Sequence, residues 1–351
     1  MLKYLLFLLI SLPGFASYEG LEIRFLETQK IAETSRACCN FTSHPVLDSL
    51  GLFQFLDVEK LGTHSYNQKE KDPMGLIYSC RGGFVDVAHL RDNADWTAHI
   101  LYNLPQWIGS GKTIDARNEG GFKNRRVYFP KMDAKKISEL SQDDLAKISI
   151  AMGFGFATLH EIVTGFNIAV SFPITLVMYE RASSFSVEDQ YSNLLGAHLG
   201  AEAAQAKGAY EEELTKSISR TLKKLSPLSL AETKAVHASL HHKWWQKDLL
   251  GRNRMVAKRN YGFAGKVYPE IAPGVDQCRN MEIAPVEVPD KLSNGMSVSD
   301  YFQIQGEVNK KFASQMRKSN KSVTPIISQK DFPEFISTIK EMNDAEFHSP
   351  K

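Results

Sequence analysis

Neither surplus charge nor cysteine is plentiful in this chain. Lys and Arg number 42 against 40 Asp and Glu, a formal net charge of +2. That near balance excludes the strong basic stripe with which a protein neutralises nucleic-acid phosphates. Only 4 cysteines occur in 351 residues, and no Cys-His signature surrounds Cys80, so a cysteine nucleophile has no support. The chain has no internal repeat and no low-complexity tract. Beyond the N-terminus no run reaches the roughly 18 apolar residues of a transmembrane helix. Gly109-Ser110-Gly111-Lys112-Thr113 looks like a phosphate-binding loop. The motif needs a glycine five residues before Gly111, where Gln106 stands, so the stretch is read as an ordinary loop.

What is present describes a globular protein. Hydrophobic residues make up 43% and charged residues 23%, enough apolar surface for a core. The length suits one large domain or two smaller ones. Met1–Ala16 reads as a secretory signal peptide. Lys3 supplies its positive end and Tyr4–Leu12 an apolar stretch too short for a membrane anchor. Gly14 and Ala16 are small residues placed for a cut before Ser17. No Cys follows that cut, which argues against a lipid anchor. The expected location is therefore periplasmic or secreted, with no transmembrane segment in the mature chain. An oxidising compartment permits two disulfides among Cys38, Cys39, Cys80 and Cys278, in three connectivities. A bond between adjacent Cys38 and Cys39 would be strained, so each is expected to reach Cys80 or Cys278.

The chemistry concentrates in three stretches. His160 and Glu161 sit inside the apolar helical run Phe156–Thr164. An ionisable pair buried there needs a partner. A His beside a Glu offers one metal ligand and one base for a metal-bound water. The zinc-protease helix motif requires a second His at i+4, and that position is Thr164. The later stretch Asp189-Gln190-Tyr191-Ser192-Asn193 resembles the E-x-x-S-D helix that brings a third zinc ligand in the thermolysin-like gluzincins. Ser186 followed by Asp189 also fits a capping box. Upstream, Asp86, His89, Asp92 and Asp95 recur at three-residue spacing on a predicted helix that opens at Asp86. Residues so spaced lie broadly on one face and drift around it. Asp86 is placed to orient the His89 imidazole, as carboxylates do for metal-bound histidines.

The rest of the pattern predicts mostly helices and a few short strands. A strand is expected at Leu76–Tyr78. Ser141 caps a helix running to about Gly165, in which Gly153 and Gly155 suit close packing. Further helices are expected over Ser186–Lys207, Tyr210–Leu225, Val298–Arg317 and Asp331–Asn343. Ser229 opens one predicted to reach about Lys247. It would carry His237 and His241 at chelating distance or as a surface stripe, and Trp244 and Trp245 as sugar platforms or core anchors. Ile168–Tyr179 reads as a strand or an irregular loop, and short strands are expected at Met255–Lys258 and Lys266–Tyr268. The organisation expected is a signal peptide over 1–16, a single α+β domain over 17–290 and a helical C-terminal extension over 291–351. The fold class is α+β, mostly helical, with room for a zincin-like site.

Gly75 to His89, Ala94-Asp95-Trp96-Thr97, His160-Glu161-Ile162 and Glu188 to Gly196 together resemble an exported bacterial family catalogued as domain of unknown function 4056. The similarity runs from about Cys38 to the Cys278 region. It implies an exported single-domain protein and brings no established activity or catalytic residues.

These readings converge on an expectation of a metal-dependent hydrolase acting on a peptide or amide bond of an envelope polymer or protein. His89, His160 and Glu188 or Asp189 would bind Zn2+ or another divalent ion, and Glu161 would be the general base. Asp86, Asp95, Ser192 and Asn193 would orient those groups. One alternative is a non-enzymatic envelope module that binds polysaccharide or a partner protein, with both histidines packed and Trp244 or Trp245 exposed. Another is a metal-free hydrolase using Asp86, Asp95 or Glu161 as acid and base.

Overall fold

Gly196 and Gly200, one helical turn apart, allow two helices to touch backbone to backbone. In the computed structural model the described residues are 36, 55–68, 70, 72–116, 122–166, 183–247, 254–318 and 324–348. They form eight α-helices: α1 (Val87–Trp107), α2 (Ala134–Ser138), α3 (Gln142–Gly165), α4 (Asp189–Gln205), α5 (Tyr210–Lys224), α6 (Leu230–Ser239), α7 (Lys310–Lys318) and α8 (Phe332–His348). The strands are β1 (Leu76–Ser79), β2 (Gly83–Asp86), β3 (Thr113–Ala116), β4 (Phe122–Tyr128), β5 (Trp245–Lys247), β6 (Arg254–Val256), β7 (Lys266–Val267), β8 (Val286–Glu287), β9 (Gln303–Val308) and β10 (Ile326–Ser328). The arrangement is a single α+β fold, mostly helical, with short antiparallel strands.

α1, α3 and α4 form the centre. A Cβ on Gly196 would lie 2.1 Å from the Leu90 carbonyl oxygen, and one on Gly200 2.1 Å from that of Ala94. Any side chain there would force the helices apart, so only glycine permits this approach. Ser192 meets Asp86, Gly196 meets Leu90 and Gly200 meets Ala94. The constant offset shows that α4 runs parallel to α1. α3 runs the other way, since Glu161 lies near His89 while Gly153 faces Thr97. The first turns of α1 and α4 therefore meet the last turns of α3 at one end of the trio.

α3 opens with the expected capping box, Ser141 and Asp144 exchanging bonds with each other's backbone, and ends at Gly165 as predicted. By length and composition it could cross a membrane, but 83% of that apolar stretch is buried inside the fold, which makes it the core helix. The four-stranded sheet has the order β10-β9-β4-β3, antiparallel throughout. Its second strand comes from the tail, so residues after 291 contribute strands as well as helices. Ile304 of β9 packs at Gly155, and Ile339 of α8 at Gly165.

Two predicted helices are corrected. The helix expected over Val298–Arg317 is a short turn at Val298–Asp300, then β9, then α7. Gln303-Ile304-Gln305-Gly306-Glu307-Val308 alternates half-exposed and buried positions, the period of a strand with one face on a core. α6 stops at Ser239 instead of reaching Lys247, and Trp245 turns back to pair with Val256. His237 is buried and stacks on Trp245 at 4.9 Å. Trp244 and Trp245 are core residues, 5% and 7% exposed.

The disulfide pairing also differs from expectation. Cys80 and Cys278 bond to each other across a separation of 198 residues, so neither joins Cys38 or Cys39. Hydrogen bonds from the Ala272 N–H to the Tyr78 hydroxyl and from the Ala284 N–H to the Arg81 carbonyl bring the two segments together. Cys38, Cys39, the signal segment and Ile168–Tyr179 lie outside the described residues.

Candidate metal centre

Asp86 ends β2 and caps α1. Its Oδ1 accepts the Ala88 N–H at 2.7 Å, the usual way an Asp satisfies a free helix donor. Its own N–H donates to Ser192 Oγ at 2.9 Å, fastening the start of α1 to α4. Its Oδ2 lies 3.4 Å from His89 Nδ1, one turn along α1. Asp86 thus sits where the sequence placed it, against the His89 ring.

The other wall is the bend that opens α4. The Ser186 N–H donates to Asp189 Oδ2 at 2.7 Å, which is half of the predicted capping box. The Ser186 hydroxyl does not complete the box; it donates to Glu188 Oε2 at 2.5 Å. Asp189 Oδ1 is left facing His89 Nδ1 at 3.2 Å. From α3, Glu161 Oε2 accepts the Phe185 N–H at 2.7 Å, joining the last turns of that helix to the same bend.

His89, Glu161 and Asp189 converge, with ligand atoms all within 4.8 Å of one another. Ligands bonded at about 2.0–2.2 Å to one divalent ion stand about 3–4.4 Å apart, so small side-chain rotations suffice. Burial pushes the Asp189 carboxyl well above the usual carboxylate range, and the Glu161 and Glu188 charges add to that, while His89 opposes it. Two buried carboxylates on one imidazole need a proton or a cation between them. The donor chemistry fits a divalent metal ion. His89 is the open side of the cluster, its side chain 17% exposed against 4% for Asp189.

The remaining sequence-predicted residues distribute as follows. His160 is half-buried and stands outside the trio, whereas Glu161, expected to be the base, stands inside it. Neighbouring helix positions point about 100° apart, so only one of the pair can face a given ion. Glu188 is buried beside Asp189 and held by Ser186. Ser192 positions Asp86. Asn193 accepts a bond from Asn93 Nδ2 at 2.7 Å, one turn deeper. Asp95 leaves the group: its oxygens take His64 Nε2 at 2.7 Å and the Tyr210 hydroxyl at 3.0 Å. Each three-residue step falls 60° short of a full turn, so Asp95 has moved about 120° around α1 from His89.

The family described as "Protein of unknown function (DUF4056)" matches residues 27–273. The chain belongs to this family. Its span takes in His89, Glu161 and Asp189 and ends before Cys278, β9 and β10. No curated protein and no solved structure matches the chain. Within the matched span, sequence reasoning missed Ser186 as the residue that fixes both Glu188 and Asp189. Its place three residues before Asp189 was visible, but it was read only as a cap.

Proposed function

We propose that this protein is an exported metal-dependent hydrolase acting on a peptide or amide bond of the bacterial envelope. The observation that carries the reading is the convergence of His89, Glu161 and Asp189 from three helices on one small volume, open at His89. When bound, Zn2+ or another divalent ion would lower the pKa of a coordinated water and polarise a carbonyl. His89, Glu161 and Asp189 would hold the ion, and Asp86 would fix the ring of His89. With Glu161 among the ligands, Glu188 becomes the carboxylate available to take a proton. It is near enough to raise the Asp189 carboxyl and is held by Ser186. The leader-like N-terminus supports export. The polysaccharide-binding alternative relied on an exposed Trp244 or Trp245, and both are buried.

The test is metal analysis of full-length protein purified without a His-tag from an exported compartment, followed by assays on peptides and peptidoglycan fragments. One divalent ion per chain is expected. Glu188→Gln should retain the ion and lose hydrolysis. Wild-type protein without stoichiometric metal would overturn the reading.

A further inference from the structure

A second polar cluster lies on the far side of α1 from the metal centre. Its centre is Arg36, whose side chain is fully buried. All five N–H groups of the guanidinium find acceptors. Nε donates to Asp72, Nη1 to Asp92 at 2.7 Å and Asp95 at 3.1 Å, and Nη2 to the Ser65 carbonyl at 2.6 Å and Asp72 at 3.0 Å. The Arg36 backbone N–H adds a bond to Asp92 at 3.0 Å. The receiving groups are themselves fixed from other directions. Arg91 Nη1 donates to Asp72 at 3.1 Å, and Asp95 accepts from Tyr210 and from the Asn67 N–H. The acceptors thus come from Ser65, Asp72 and α1, with Tyr210 of α5 behind them, and among the described residues Arg36 is the one contributed from before residue 55.

Three carboxylates gathered around Arg91 and His64 leave surplus negative charge without a further cation. The planar fork of a guanidinium matches the acceptor positions, which a compact ammonium cannot do. We propose that Asp72, Asp92, Asp95 and the Ser65 carbonyl form a guanidinium receptor, which Arg36 fills. The receptor is a binding site filled in cis, distinct from the metal centre.

Chemical rescue tests this. Arg36→Gly should shift the unfolding equilibrium by roughly a hundredfold or more, as expected when one partner of a buried ionic group is removed. Millimolar methylguanidinium should restore the melting temperature of the full-length variant saturably and leave wild type unchanged. Methylammonium should do neither. Equal effects of the two cations, or equal effects on variant and wild type, would overturn the proposal. Arg36→Lys gives a second reading should the glycine variant not fold. It keeps the charge but loses the fork, and hydrogen exchange over residues 61–72 and 90–96 should rise roughly tenfold. Wild-type exchange in Arg36→Lys would overturn the proposal as well.

Discussion

Glu161 near the end of α3 and Asp189 at the start of α4 bring carboxylate oxygens to the same imidazole, His89, with the three ligand atoms within 4.8 Å. The sequence reading makes His160 the ligand and Glu161 the base; the proposed metal centre exchanges the expected phenotypes. Glu161→Gln, Asp189→Asn and His89→Ala should each lower divalent-metal affinity by more than about 100-fold, since even partners outside the coordination sphere are worth 10- to 100-fold. His160→Ala should keep the metal. Titration of the four variants with Zn2+ and Mn2+, followed by calorimetry, decides the matter. A His160→Ala protein that loses its ion while Glu161→Gln keeps it would restore the original assignment.

The two helices that carry His89 and Asp189 are held in place by glycine. A methyl at Gly196 would meet the Leu90 carbonyl oxygen and Cα, and backbone cannot swing aside as a side-chain tip can. Gly196→Ala and Gly200→Ala should each destabilise the protein by about 3 kcal/mol or more, at the upper end of overpacking costs. The same displacement should separate His89 from Asp189 and weaken metal binding. Gly265→Ala is the control, since nothing lies within 4 Å of its Cβ position, although its φ of +63° carries a backbone strain of its own for any side chain. Urea unfolding of the three variants that ranked Gly265→Ala the worst would contradict this account.

Local signals in the sequence were read well where one residue sets one feature. The Ser141 capping box, the start of α1 at Asp86 and the end of α3 at Gly165 are of that kind. What eluded the sequence depended on contacts between distant segments. The Asp86, His89, Asp92 and Asp95 series looked like one face, yet its drift sends Asp92 and Asp95 to Arg36. Nothing near Arg36 in sequence announces that partnership. β9 was readable from its alternation, but the apolar spacing of Val298, Tyr301 and Phe302 favoured a helix until strand pairing with β4 supplied the missing hydrogen bonds. His160 and Glu161 could not be ranked from sequence, because the choice rests on how α3 is rotated against α1 and α4.

The Cys80–Cys278 bond closes a loop of 198 residues. Loop-closure entropy for a ring of that size corresponds to about 5 kcal/mol as an upper figure. Cys278→Ser, or reduction of the wild type, should lower stability by up to that amount in urea titrations. Peptide mapping under non-reducing conditions should recover Cys80 joined to Cys278. Recovery of either cysteine joined to Cys38 or Cys39 would contradict the pairing.

Acid should reveal the bond between α3 and the Ser293 loop. Asp144 is buried at the start of α3, where Oδ2 accepts from the Ser141 N–H at 3.1 Å and hydroxyl at 2.7 Å. Ser293 donates its N–H at 2.7 Å and its hydroxyl at 2.6 Å. Burial by itself would raise this carboxyl, but the bonds from Ser293 and Ser141 outweigh it and bring the pKa down from 3.8 to about 2. A folded-state pKa below the unfolded one stabilises the protein above the unfolded value and ceases to do so as pH falls through the folded value. The gap corresponds to about 2 kcal/mol, present above about pH 5 and gone below about pH 2. Asp144→Asn cannot titrate, so the stability difference between wild type and this variant should shrink by that amount across the window. Ser293→Ala removes the hydroxyl donor, keeps the backbone N–H, and should move the window upward. Chemical unfolding at several pH values measures both effects, and a wild-type-minus-variant difference that stays flat from pH 6 to pH 2 would remove Asp144 as the acid-sensitive group.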